Sequence, residues 1–171
     1  GRAVLNIEPG LAFGTGTHET TRLCLETLER HIKPGVSVLD IGCGSGILAL
    51  ASVLLGGKTA YGVDIDAQSV KTAKENAEIN KISEKCEFIN GDLAEKVTGK
   101  YNVICANIVA DVIIKLFRNV GDFMAEDGVL IISGIIDIRK DDVLTKAEEY
   151  GFKVIEEQYK DNWCAYVLKC K

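Results

Sequence analysis

Several large classes are excluded by what this sequence does not contain. No apolar run reaches the ~18 residues of a membrane span. The N-terminal stretch has no basic segment followed by an apolar core, the mark of a secretory leader. Six cysteines are scattered and none has C-x-x-C spacing, so neither a zinc site nor a redox dithiol is indicated, and reduced thiols in a cytoplasmic protein are expected. The two histidines, His18 and His31, stand far apart without acidic companions at ligand spacing, so no metal is expected. Positive charge is also short: 20 Lys and Arg against 25 Asp and Glu leave a net charge of -5. Direct nucleic-acid binding through clustered cations is therefore not expected, and a basic protein is the better-matched partner.

What is present is a chain of 171 residues, 47% hydrophobic and 26% charged, enough for one soluble domain with a full core. Its centre is Val38-Leu39-Asp40-Ile41-Gly42-Cys43-Gly44-Ser45-Gly46. Val38 to Ile41 reads as a strand covered on both faces. The glycines then make a turn that tolerates positive φ and puts no Cβ in the way of a ligand. Ile47-Leu48-Ala49-Leu50-Ala51 opens a helix, and strand, bare turn and helix N-terminus together cradle a nucleoside-containing cofactor. A dinucleotide is disfavoured, because Ile47 stands where the diphosphate fingerprint requires a third glycine or alanine. Cys43 has no evident base beside it and is not read as a nucleophile. The next strand, Thr59 to Asp64, ends in a carboxylate about 20 residues past the turn, where such folds place the acid that grips ribose hydroxyls. Asp66 is the expected N-cap of the helix that follows.

The remaining elements follow from period and punctuation. Val4 to Ile7 fits a short strand, broken by Glu8-Pro9-Gly10. Leu11 to Thr21 gathers two glycines and four threonines ahead of a helix from Leu23 to about His31. Those threonines are candidate caps, and the loop, with Phe13, is of a kind that closes over a small ligand. No Lys-Ser/Thr pair follows its glycines, which excludes a Walker loop. His18 is either a binding residue or a satisfied loop residue, and His31 a surface residue near a helix end. A helix runs from the Asp66 cap to about Asn80, and a strand from Cys86 to Ile89 ends in the turn Asn90-Gly91-Asp92-Leu93. Strand four, Tyr101 to Ala106, is closed by Asn107, placed either to meet a ligand at the carboxyl end of a parallel sheet or to cap a helix over 108–124. A turn at Glu126-Asp127-Gly128, a strand over 128–134, a helix over 138–150 and a hairpin of 153–159 with 163–169 complete the chain. The alternation predicts a three-layer α/β sandwich with helices on both faces of a mostly parallel sheet.

The glycine turn with Asp64 resembles the Rossmann-like S-adenosylmethionine-dependent methyltransferases. A narrower resemblance covers almost the whole chain. Pro9 to His18 followed by Thr20-Thr21, Asp40 to Leu48, Gly62 to Asp66, Ala106-Asn107-Ile108 and Ser133-Gly134-Ile135 together resemble the bacterial ribosomal protein L11 methyltransferases, the PrmA family. The resemblance implies a seven-stranded sheet of order 3-2-1-4-5-7-6 with the last strand antiparallel. It implies S-adenosyl-L-methionine as cofactor, and lysine side-chain and N-terminal amines of a basic ribosomal protein as acceptors. Carried over position by position, Thr21 or a neighbouring threonine touches the cofactor, Gly42 and Gly44 admit its methionine moiety, and Asp64 holds its ribose. Asp92 meets the adenine amine, although ordinary turn chemistry is equally open for it. Asn107 lies beside the donor methyl, both as a cofactor-binding residue and as the catalytic residue. The family carries a substrate-recognition domain ahead of the signature loop. With only a dozen residues before that loop, residues 1–171 are expected to be the catalytic domain alone, monomeric and cytoplasmic.

The acceptor is narrowed by one departure from pattern. Methyltransferases acting on planar nitrogens often carry Asn/Asp-Pro-Pro-aromatic after strand four. Asn107-Ile108-Val109-Ala110 has neither proline nor aromatic, which disfavours nucleobase and glutamine acceptors. An amine acceptor must be neutral to attack, and burial beside a sulfonium lowers lysine from its usual ~10.4. Two further readings stay open: a methyltransferase for a small molecule or nucleic acid, and a non-catalytic nucleotide-binding module. Retention of the glycines, Asp64 and Asn107 together argues against the last.

Overall fold

The structure, a computed structural model, describes residues 2–8 and 18–171. In chain order these form α1 (Glu19–His31), β1 (Ser37–Ile41), α2 (Ile47–Leu54), β2 (Thr59–Asp64), α3 (Ala67–Ile79), β3 (Cys86–Asn90) and β4 (Tyr101–Asn107). The chain continues with α4 (Ala110–Leu116), β5 (Met124–Ile136), α5 (Lys140–Glu149), β6 (Phe152–Lys160) and β7 (Trp163–Cys170). One sheet orders the strands β3-β2-β1-β4-β5-β7-β6. The first five strands are parallel, and β7 runs antiparallel to both β5 and β6, as the resemblance implies.

The period of two along each strand divides the interior into two cores. Val38, Val103, Ile131 and Val167 point to the face that also packs Cys24 and Leu28 of α1, Leu50 of α2 and Ala73 of α3. Their neighbours Leu39, Ile104, Leu130 and Leu168 point to the other face, against Ile113 and Leu116 of α4 and Val143 of α5. Leu39, Leu50, Ile104, Ile113 and Leu130 have no exposed surface, so each contributes about 1.5–3 kcal/mol of burial. The covering of both faces explains why the central strands carry continuous apolar runs.

Several boundaries differ from the sequence expectations, each for a local reason. α1 begins at Glu19, not Leu23, because the cap is His18 and not a threonine: its ring nitrogen accepts from the Thr20 N–H, which takes Thr20 and Thr21 into the helix. Asn107 caps no helix; it remains in β4, and α4 starts three residues later with Val109 at the N-cap and no side-chain cap bond. The helix expected over 108–124 ends at Leu116, since Asn119, Gly121 and Asp122 are poor helix formers, and a short 3₁₀ turn spans Val120–Phe123. β5 is longer than expected: Asp127 takes φ 60° and Gly128 follows within a continuous strand, and the pairing with β4 shifts register there. Val4 to Ile7 forms no strand. Instead the Asn80 side chain bonds both the N–H (2.9 Å) and the carbonyl (2.7 Å) of Asn6. Asn76 does the same for Glu8 (2.8 and 3.0 Å). The hydroxyl-rich loop over 11–17, with Phe13, and the Pro9-Gly10 break lie outside the described residues.

Candidate active site

The glycine turn is set by main-chain bonds to its neighbour strand. Gly42 and Cys43 both donate to the Val63 carbonyl, at 2.8 and 3.0 Å, and Gly46 closes the turn on Cys43 at 2.8 Å. Gly42 has φ 72°, and a Cβ there would lie 2.6 Å from the Ile108 Cγ2 atom, so both conformation and space require glycine. Gly46 is the N-cap of α2 and offers no side chain. Asp40 replaces it: its carboxylate, only 1% exposed, accepts from the Ala49 N–H at 3.3 Å in the first turn of that helix. Burial pushes the Asp40 carboxyl up to about 7, the Ala49 bond lowers it, and the charge of Asp64 raises it again. Burial, then the same two carboxylates, push the Cys43 thiol far above its usual range, so no thiolate nucleophile forms there.

At the carboxyl ends of β1, β2 and β4 the structure opens a cavity of about 650 Å³. All the residues predicted for the site line it: Thr21, Gly42, Gly44, Asp64, Asp92 and Asn107. Main-chain amides hold both oxygens of Asp64, one accepting from the Gly44 N–H at 2.8 Å and the other from the Asp66 N–H at 2.9 Å. Asp66 caps α3 as expected, accepting from the Gln68 N–H at 3.0 Å. Asp92 sits in the turn after β3 and borders the cavity, so turn and lining roles coincide. The Asn107 side chain donates to the Thr21 hydroxyl at 3.2 Å.

His18, marked in the sequence as either a binding or a satisfied loop residue, lines the cavity, but sequence reasoning missed its partner in that wall, Trp163; the two rings meet edge to face with centroids 5.0 Å apart. A signal existed: with β7 antiparallel to β5, its first residue must fall at the carboxyl end of β5, and Trp163 pairs with Ile136. His31 is not a free surface residue. It pairs with Glu156 of β6, which also accepts from Arg30 Nε and Nη2 at 3.1 and 3.0 Å.

The lining has the character of a site for a cationic nucleoside. The carboxylates of Asp64, Asp66 and Asp92 and the buried carboxyl of Asp40 border the cavity, and no lysine or arginine does among the described residues. A diphosphate would meet uncompensated repulsion there, whereas a sulfonium and sugar hydroxyls meet acceptors.

Residues 1–171 match the protein family described as ribosomal protein L11 methyltransferase (PrmA). The chain belongs to this family. It is similar to the ribosomal protein L11 methyltransferase of Thermoanaerobacter pseudethanolicus, 45% identical over 168 residues that cover 98% of this chain and 54% of that protein. The same-named protein of Caldanaerobacter subterraneus is 44% identical over 171 residues, 100% of this chain and 55% of that one. The chain thus spans about half the length of the curated relatives it matches. Among solved structures, a ribosomal protein L11 methylase from Lactobacillus delbrueckii superposes with TM-score 0.91 at 33% identity, over 96% of this chain and 84% of that one.

Proposed function

We propose that this chain is the catalytic domain of a protein methyltransferase that moves methyl groups from S-adenosyl-L-methionine to lysine side-chain and N-terminal amines of ribosomal protein L11. Family membership supports the reaction class. The observation that carries the reading is that Gly42 and Gly44, Asp64 and Asn107, delivered by β1, β2 and β4, line one cavity that has carboxylates and, among the described residues, no lysine or arginine. Asp64 would grip the ribose with a carboxylate already immobilised by two main-chain amides, which lowers the ordering cost of binding. Gly42 and Gly44 would admit the methionine moiety to the main chain, Asp92 would meet the adenine, and Thr21 would close the near side. When bound, the cofactor supplies a methyl group on a sulfonium centre. Asn107 would hold the acceptor by taking one N–H of a neutral amine on its amide oxygen, leaving the nitrogen lone pair in line. Positioning of this kind is the main catalytic need when the leaving group is already good.

No helix of the described residues is long and apolar enough to cross a membrane. The net charge of -5 suits a basic protein partner better than RNA, and we place the protein as a monomer in the cytoplasm. The test is transfer of radiolabelled methyl groups into purified ribosomal protein L11, RNA and metabolites offered separately. Label on L11 amines is expected; label confined to RNA or metabolites would overturn the acceptor, and no binding of the cofactor would overturn the reaction class.

A further inference from the structure

The Asn107 amide has two ends of nearly equal shape and opposite chemistry. Its oxygen can take an amine proton and leave the attacking lone pair free. Its NH₂ group would instead donate to that lone pair and block the nucleophile. Which end faces the cavity therefore matters as much as where the residue lies. In the structure the Nδ2 end is turned to the Thr21 hydroxyl, at 3.2 Å. The Oδ1 end lies over the bare face of Gly134, 3.2 Å from where a Cβ would stand, and Gly134 borders the cavity. Thr21 is buried and held in place on the first turn of α1. The Thr21 N–H donates to the His18 carbonyl at 3.1 Å, and the neighbouring Thr20 carbonyl accepts from the Ser133 hydroxyl of β5 at 3.1 Å. The Ser133 carbonyl in turn accepts from the Ile108 N–H, at 3.2 Å, beside Asn107. Helix α1 and the ends of β4 and β5 are thus tied into one frame around the amide.

We infer that Thr21 is a positioning residue for Asn107, its hydroxyl anchoring the amide nitrogen so that the amide oxygen meets the acceptor. The inference rests on the reading of Asn107 as the residue beside the acceptor amine. It assigns Thr21 a role exerted through another side chain, separate from any contact with the cofactor.

A double-mutant cycle tests it, with methyl transfer to ribosomal protein L11 measured at saturating S-adenosyl-L-methionine. Thr21→Val should lower kcat roughly tenfold in the otherwise wild-type protein and less than about twofold in the Asn107→Ala background, since coupled residues are non-additive. Thr21→Ser, which keeps the hydroxyl, should restore kcat to within about threefold of wild type. Equal losses from Thr21→Val in both backgrounds would show that Thr21 acts on the cofactor alone, and would overturn the inference. A second readout needs no turnover: the Asn107 side-chain amide resonances of the ligand-free protein. Thr21→Val and Thr21→Ala should shift them and speed their hydrogen exchange, and Thr21→Ser should not. Unmoved resonances in both folded variants would overturn the inference. An inactive wild-type protein would count against the proposed reaction instead, and the resonances would still decide the role of Thr21.

Discussion

At the carboxyl ends of β1, β2 and β4 the cavity of about 650 Å³ is walled by glycine main chain, four aspartates and the Asn107 amide. At the opposite end of the sheet a hollow of about 490 Å³ is lined by Thr59, Tyr61, Glu84, Lys85, Glu87 and Tyr101. Their volumes are similar and β2 contributes to both, yet the chemistry differs. Parallel strands all deliver their last residue to one end, and the helices that follow begin there, so polar termini and helix N-termini converge on the first cavity. The second hollow receives strand starts and long side chains that answer one another. Tyr61 and Tyr101 lie with ring centroids 6.3 Å apart, the Tyr101 hydroxyl donates to the Thr98 carbonyl at 2.9 Å, and Lys85 stands among the acids. Volume does not make a site; convergence of polar strand ends on bare glycine main chain does.

The sharpest way to break this comparison is at Asn107. Asn107→Ala should cut methyl transfer by about a hundredfold while leaving cofactor affinity within a few-fold, because misplacing a reactant costs that much and the other donor contacts remain. Equal losses in both would merge the two roles. The next test uses Asp40, whose carboxyl is pushed up to about 7 from the 3.8 of an unfolded chain. The sign follows from proton counting: between those values the folded state holds the proton and the unfolded state does not. Stability contributed by Asp40 is therefore present at low pH and lost as pH rises toward about 7. Asp40→Asn should gain in Tm over the wild type as pH is raised across that window, and a difference independent of pH would contradict the assignment. Asp66→Ala removes the cap of α3 and should lower stability by about 1 kcal/mol in thermal melts. At the other end of the sheet, Tyr101→Phe should change stability by less than ~0.5 kcal/mol and leave cofactor binding unmoved. A large loss of binding there would make the second hollow a site after all.

How much of this was legible in the sequence depends on range. β1, α2, β2 and the Asp66 cap were readable because their signals are local: an apolar run, a glycine turn, an acid at a strand end. Thr21 and Asn107 were both marked, but not as partners, since they are 86 residues apart and joined only where α1 crosses the end of β4. The helix cap went to His18 and not to a threonine because an imidazole nitrogen can accept as a hydroxyl does, which residue preferences under-weight. The Asn76 and Asn80 bonds to the N-terminal segment carry no pattern at all: side chains of a helix stand in for a strand, so the segment is held without a ladder. Trp163 was legible only through topology, once the order β5-β7-β6 brings its strand start to the cavity mouth.

The most direct measurement is a calorimetric titration of S-adenosyl-L-methionine into the protein and into Asp64→Ala. One site is expected in the wild type, with a Kd raised in the variant by the equivalent of about 1.5–3 kcal/mol, the scale of charge-assisted hydrogen bonds. A wild-type protein that takes up no cofactor, or an Asp64→Ala protein that binds it as tightly, would contradict the account.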